Sequence, residues 1–393
     1  MRFLIPFILL FLITGCKNPN GQVSIRKDID SIVLKWVPDQ REGICQIALS
    51  VLPDDRVLIK GETNIPEVKS EILNYLSKAE FIFSDSLTIL PDTTVVTKPW
   101  GLITVSVCNI KKSPSHSSEL VSQSVLGTPV KILKKRGGWF LIQTPDYYIG
   151  WANNSSIEEL DNSGFERWKK SARVIYIAKA GDLIQDPDNK IIVSDMVTGS
   201  IVQVLKEKKG YYYVQLPDGR EGVLDKDNVS DFTIWAGSVL PDPGKLIPFS
   251  ETLLGSPYLW GGTSVKALDC SGFVKIIFFT GGIILARDAS LQYRHGADID
   301  FSGNYDELKP GDLLFFGYEN EGKERIIHVG MYIGNRDVIH CSGMVRINSM
   351  DSTRSNYSSY LHDTFRGVRR IIGIAPEKGM ERVADNSWYF SQE

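Results

Sequence analysis

Cysteine, histidine and charge imbalance are all scarce in this chain of 393 residues, and each shortage narrows what it can do. Its five cysteines lie far apart, which is not the disulfide framework of a small secreted domain. No CxxC pair or closely spaced Cys/His cluster suggests structural zinc, and nothing in the sequence calls for a metal or a cofactor. The formal net charge of −3 argues against nucleic acid as the main partner. A local basic cluster, Lys131, Lys134, Lys135 and Arg136, reads as a solvated strand edge or turn. With 42% hydrophobic, 10% aromatic and 23% charged residues, the composition is that of a folded protein, and the length suggests two to four domains.

The first sixteen residues read as a leader. Arg2 precedes an apolar run from Phe3 to Ile13 that is too short for a stable membrane span, followed by Thr14-Gly15-Cys16. Ile-Thr-Gly-Cys resembles the bacterial lipobox, which implies cleavage before Cys16 and a diacylglyceryl anchor on it. The mature protein is then expected in the bacterial envelope, facing the periplasm or the outside, with residues 17–22 as a tether. Cys45 and Cys108 sit among apolar residues and read as buried small hydrophobes.

An internal repeat organises the middle of the chain. Residues 125–146 align without a gap on residues 197–218, at a constant offset of 72 that also carries Gly150 onto Gly222. Each copy reads as short strands separated by Gly, Lys-Lys and Pro-Asp turns, which implies a small β-barrel used twice, over about 100–162 and 170–235. Ahead of it, 23–98 reads as a small α+β subdomain. There Val68, Ile72, Leu73 and Leu76 keep a helix period, and Arg56–Lys60 and Glu80–Ser84 read as strands. Linker signals fall at 91–101 and 237–248. A last module runs from about 245 to 376, and the tail beyond Pro376 reads as polar and uninformative.

The chemistry is concentrated in that module. Leu268-Asp269-Cys270-Ser271-Gly272 opens an apolar run ending at Gly281-Gly282, so Cys270 is expected near the N-terminus of a buried helix. There the helix dipole and free N–H groups are expected to depress the thiol pKa and to receive an oxyanion. His328 and His340 flank a Gly-Asn-Arg-Asp turn. A hairpin turning at Gly334 is expected to set them directly opposite on one face. His328 then reads as the base for Cys270 and His340 as the group that orients it. Tyr258 and Trp260 read as exposed aromatics on a Gly-rich turn. Cys341 is expected to be buried, and His116, His295 and His362 to be surface or loop residues.

The two repeats resemble bacterial SH3-like domains of cell-wall enzymes. The pieces Pro-Tyr-Leu-Trp-Gly-Gly, Asp-Cys-Ser-Gly-Phe, Ala-Arg-Asp-Ala-Ser-Leu-Gln, Leu-Lys-Pro-Gly-Asp-Leu-Leu-Phe-Phe, His-Val-Gly-Met-Tyr-Ile-Gly and Val-Ile-His-Cys-Ser resemble, in order, NlpC-type papain-like cysteine peptidases. The resemblance implies an α+β chain: two SH3-like barrels, then an antiparallel sheet against helices with the nucleophile at a helix N-terminus. It further implies a γ-D-glutamyl-L-diamino-acid endopeptidase acting on murein peptides with a free L-Ala. In such enzymes the free amine is met by residues matching Glu119, Tyr148 and Asp269. Tyr258 matches a tyrosine beside the oxyanion and Trp260 a wall of the cleft, while Ser271 and Asp288 match contacts to D-Glu. Ala289 departs from a serine common in relatives. Two other readings stand beside this one: a hydrolase of intact peptidoglycan, and a non-catalytic wall-binding lipoprotein.

Overall fold

The computed structural model describes residues 19–54 and 56–391, so the leader and Cys16 lie outside the described residues. It divides into two units, Met1–Asp92 and Thr93–Glu393.

In the first unit, helix α1 (Pro19–Trp36) is followed by strands β1 (Cys45–Val51) and β2 (Val57–Thr63), helix α2 (Pro66–Lys78) and strand β3 (Phe83–Ile89). The expected tether runs into α1, whose first turn begins at Pro19. Proline suits that position because the first helical N–H has no partner in any case. The periodic residues Val68, Ile72 and Leu76 are buried on α2. β2 and β3 pair in parallel, which requires a crossover, and α2 supplies it. Cys45 is only half-buried, whereas Cys108 is buried as expected.

The second unit begins with the repeat. Its first copy holds β4 (Trp100–Ile103), β5 (Val107–Lys111), β6 (Leu120–Val125), β7 (Pro129–Arg136), β8 (Trp139–Gln143), β9 (Ile149–Asn153) and β10 (Ile157–Leu160), and ends in helix α3 (Asn162–Lys170). The second holds β11 (Arg173–Tyr176), β12 (Ala180–Ile184), β13 (Ile192–Val197), β14 (Ile201–Lys208), β15 (Tyr211–Gln215), β16 (Glu221–Asp225) and β17 (Val229–Asp231), and ends in α4 (Phe232–Ser238). Each copy is one seven-stranded sheet. The strand orders, β10-β4-β7-β8-β9-β5-β6 and β13-β12-β16-β15-β14-β11-β17, are the same topology read from opposite edges. Irregularities repeat too: a bulge at Ile132/Lys134 recurs at Val204/Lys206. Gly127 must be glycine because its φ is +75° and a Cβ there would meet the Ile201 carbonyl of the other copy.

The last module contains α5 (Pro243–Glu251), β18 (Thr263–Ser264), β19 (Ala267–Leu268), α6 (Cys270–Thr280), β20 (Ile283–Leu285), α7 (Ala289–Gln292) and β21 (Ala297–Ile299). Then follow β22 (Leu313–Asn320), β23 (Lys323–Gly334), β24 (Asp337–Ser342), β25 (Met344–Ser349), α8 (Ser359–Thr364), β26 (Phe365–Arg370) and β27 (Met380–Arg382). Six strands form an antiparallel sheet in the order β21-β26-β22-β23-β24-β25. Val329, Met331, Ile339 and Cys341 face α6 in one core, while Phe316, Tyr332, Val338 and Val368 build a second core on the other face.

The tail is far from uninformative. Residues Met380–Arg382 pair with β20, and Trp388, Tyr389 and Phe390 enter an aromatic cluster with Trp100 of the first copy and Phe232 at the end of the second. Three aromatics within a polar stretch carry enough apolar area to dock it.

Candidate active site

Cys270 is the first residue of α6. Asp269 caps the helix, its Oδ1 accepting from the Gly272 N–H at 2.7 Å, as a carboxylate at that position should. The helix is buried from Cys270 through Val274, so the all-round apolar run marked a core helix.

The histidines meet by a different register from the one expected. The turn is the Asn335-Arg336 pair, both with positive φ, a two-residue hairpin loop. Gly334 pairs with Asp337, but Ile333 is a bulge and Tyr332 then pairs with Val338. His340 therefore faces Gly330, two residues from His328. Without the bulge a regular ladder would set His340 opposite Met331 and turn it to the α6 face. With it, the two rings share a face diagonally, and His328 Nε2 lies 2.8 Å from His340 Nδ1. Gly330 leaves room for this lean, since a Cβ there would approach that of His340 to 3.0 Å.

That face is the one opposite α6, so the thiol needs an opening. The β23–β24 ladder stops at Gly330↔His340, which leaves the Val329 N–H unpaired with β24. The Val329 and Ser271 N–H groups both point at the Cys270 sulfur. Burial, and then the neighbouring Cys270, raise the Tyr360 phenol of α8, and its ring lies 6.4 Å from that of His328, so it borders both groups. Cys341, buried as expected, donates its thiol to the Leu268 carbonyl at 3.2 Å.

The electrostatics reverse one expectation. Burial, reinforced by Asp269, pushes the Cys270 thiol up to about 12, and the Val329 and Ser271 N–H groups and the Arg287 charge only partly oppose this. Burial, followed by the neighbouring His340, holds His328 down at about 3. Both shifts favour a neutral thiol beside a neutral imidazole.

Tyr258 is half-buried rather than exposed, because its N–H donates to the Gly343 carbonyl. Burial and the adjacent Cys270 raise its phenol, which keeps it a hydrogen-bond donor. Trp260 is exposed, and its Nε1 donates to Glu119 Oε1 at 3.0 Å. Glu119 stands just before β6 and also pairs with Lys112. Gly261 permits this approach: its φ is +83° and a Cβ would strike the Leu120 carbonyl. Tyr148 is buried and its OH donates to Asp288 Oδ2 at 3.4 Å, whereas Tyr147 turns to Glu381. The structure thus brings Glu119 and Tyr148 of the first copy against Trp260 and Asp288 of the last module.

Asp269 and Ser271 are engaged differently. The two Asp269 oxygens accept from Gly261, Gly272, Ser271 and twice from Arg287. Ser271 also accepts from Arg287. This buried guanidinium further donates from Nε to Ser122 Oγ of β6. Arg287 carried no role in the sequence, although it adjoins Asp288 in the Ala-Arg-Asp motif. Tyr360 and Asn348, whose Oδ1 lies 3.0 Å from His340 Nε2, gave no signal at all. His116, His295 and His362 sit elsewhere, against Trp139, Glu377 and Tyr357.

Comparison with known proteins agrees with this layout. Residues 255–370 match the NlpC/P60 family and residues 110–157 the bacterial dipeptidyl-peptidase Sh3 domain. A γ-D-glutamyl-L-lysine dipeptidyl-peptidase of Bacillus cereus is 29% identical over 66% of this chain and 77% of its own. Dipeptidyl-peptidase 6 of Lysinibacillus sphaericus is 25% identical over 69% and 99%. A crystal structure of an NlpC/P60 family protein from Bacillus cereus shares the fold, with a TM-score of 0.58 at 24% identity over 69% of this chain and 99% of that one.

Proposed function

Because this chain is a cysteine peptidase with an NlpC/P60 domain behind an SH3 domain of the dipeptidyl-peptidase type, we propose that it hydrolyses the γ-D-Glu–L-diamino-acid bond of murein peptides that begin with a free L-Ala. Cys270 attacks the scissile carbonyl while its proton passes to His328 Nδ1, the ring nitrogen not committed to His340. The oxyanion is met by N–H groups at the start of α6 and by the Tyr258 hydroxyl. His328 then protonates the leaving amine, and water resolves the acyl-enzyme with His328 again as base.

The observation that carries the reading is the approach of the first SH3-like copy: Glu119 on Trp260 and Tyr148 on Asp288. Glu119, shared with Lys112, and Asp288, shared with Tyr148 and near Arg287, are the carboxylates we assign to the free ammonium, which an acylated amine cannot offer. Asp269, already accepting five hydrogen bonds, acts here by holding the helix start and Arg287. Cys16 is the proposed lipid anchor to the envelope membrane, on the strength of its leader pattern.

L-Ala-γ-D-Glu-L-Lys and its N-acetyl form, offered with intact sacculi to wild type and Cys270→Ala, test this. Only the free-amine peptide should be cleaved, and only by wild type. Equal turnover of the acetylated peptide or of sacculi would overturn the substrate assignment, and activity in Cys270→Ala would overturn the mechanism. Since burial keeps His328 neutral, kcat/KM should persist below the ordinary histidine pKa of ~6.5. It should fall on the alkaline side as the substrate amine loses its proton near ~8.

A further inference from the structure

His340 does not end the hydrogen-bond chain that begins at His328. Its Nε2 meets Oδ1 of Asn348 at 3.0 Å, and Asn348 Nδ2 donates to the backbone carbonyl of Asn356 at 3.0 Å. Two imidazoles 2.8 Å apart are ambiguous alone, because either ring can donate. A backbone carbonyl is not ambiguous, because it only accepts. It fixes which end of the Asn348 amide faces His340, since the reverse orientation would set two oxygens against each other. Oδ1 then requires a proton on His340 Nε2. A neutral His340 protonated there has a bare Nδ1, which must accept from His328 Nε2–H. His328 Nδ1 is left with a free lone pair.

We propose that Asn348 is a positioning residue that sets the tautomers of both histidines, so that the Asn356 peptide carbonyl dictates which nitrogen His328 offers to Cys270. The proposal rests on the reading of His328 as the base. The titratable and charged groups around the two rings are Tyr360 from α8, which also neighbours Cys270 of α6, and Arg346 from β25. Among the described residues, no carboxylate contributes to the shift of either ring. Through His340, the amide therefore fixes the tautomer of the base, as a carboxylate does directly in a Ser-His-Asp site. Both rings are buried, so a wrong tautomer has little water to compensate the hydrogen bond it loses. In the reaction the S–H proton moves to Nδ1 and the sulfur pair forms the S–C bond as the carbonyl π pair moves onto oxygen, while the Nε2–H contact to His340 stays in place.

With only five histidines in the chain, the imidazole nitrogens of the 15N-labelled protein can be assigned with His328→Gln and His340→Gln. At neutral pH both His328 and His340 should carry their proton on Nε2. Asn348→Leu should lose that preference and lower kcat by roughly tenfold or more, part of the ~10²–10⁴ that general-base catalysis supplies, with little change in KM. Asn348→Asp keeps the acceptor, so it should recover part of that loss. Its carboxylate favours the imidazolium and should move the acid limb up by roughly one unit. A proton on Nδ1 of either ring in wild type, or unchanged tautomers in Asn348→Leu, would overturn the proposal. The spectrum is read on resting enzyme, so failure of the peptidase reading (activity surviving in Cys270→Ala) is a separate outcome.

Discussion

Where the first SH3-like copy has Glu119 the second has Ile191, and where the first has Tyr148 the second has Arg220. The two copies share strand order and bulge positions, yet these equivalent positions do different things. Glu119 and Tyr148 reach Trp260 and Asp288 of the last module. Ile191 is 58% exposed, and Arg220 donates to the Thr104 carbonyl, tying the second copy to the first. Even an unchanged residue differs in use: Ser122 and Ser194 each donate to the next residue's carbonyl, and Ser122 in addition accepts from Arg287. Bulges and turns are constrained by the sheet itself, so duplication preserves them. Side chains that reach beyond the sheet answer only to what lies there, and so they are free to diverge.

The comparison is broken most severely at Arg287, which joins the first copy to the helix that carries Cys270. Arg287→Met should leave Asp269 buried and unpaired, costing about 3–5 kcal/mol in denaturant unfolding and abolishing turnover. Arg287→Lys should recover little, because an ammonium cannot reproduce the two-pronged contact. A smaller effect is expected at the first copy's own contribution. Glu119→Gln and Tyr148→Phe should each raise KM for the free-amine peptide by roughly tenfold, within what a hydrogen bond to a charged group contributes, while kcat changes less. The mirrored changes should do least. Arg220→Ala is expected to cost within about 1 kcal/mol of stability, and Ile191→Glu to leave KM unaltered. A KM effect there as large as at Glu119 would show that both copies read the substrate.

Much of this was legible in sequence for a local reason. Asp269 before an apolar run is a helix start whatever surrounds it, and the constant offset of 72 survives because both copies need the same bulge and glycine. What was illegible depends on partners distant in the chain. Nothing local marks Arg287 as the mate of Asp269, or Asn348 as the neighbour of His340. The sequence alone suggests a turn at Gly334, because a bulge has no signature beyond its neighbours' pairing. The expected fall in the Cys270 pKa followed from the helix start alone, and burial, visible only in the fold, outweighed it. The polar average of the tail likewise concealed Trp388, Tyr389 and Phe390.

The bulge at Ile333 also gives the histidine hairpin one residue of slack. The even spacing of His328 and His340 cannot be closed by a regular ladder on a two-residue turn, so one residue must stand outside the pairing. Shortening β23 by one residue can be absorbed by dissolving the bulge, with both rings kept on one face. Lengthening it by one has no such outlet, and sends one histidine to the wrong side of the sheet. Length variation in this hairpin is therefore tolerated in one direction only, however exposed its turn.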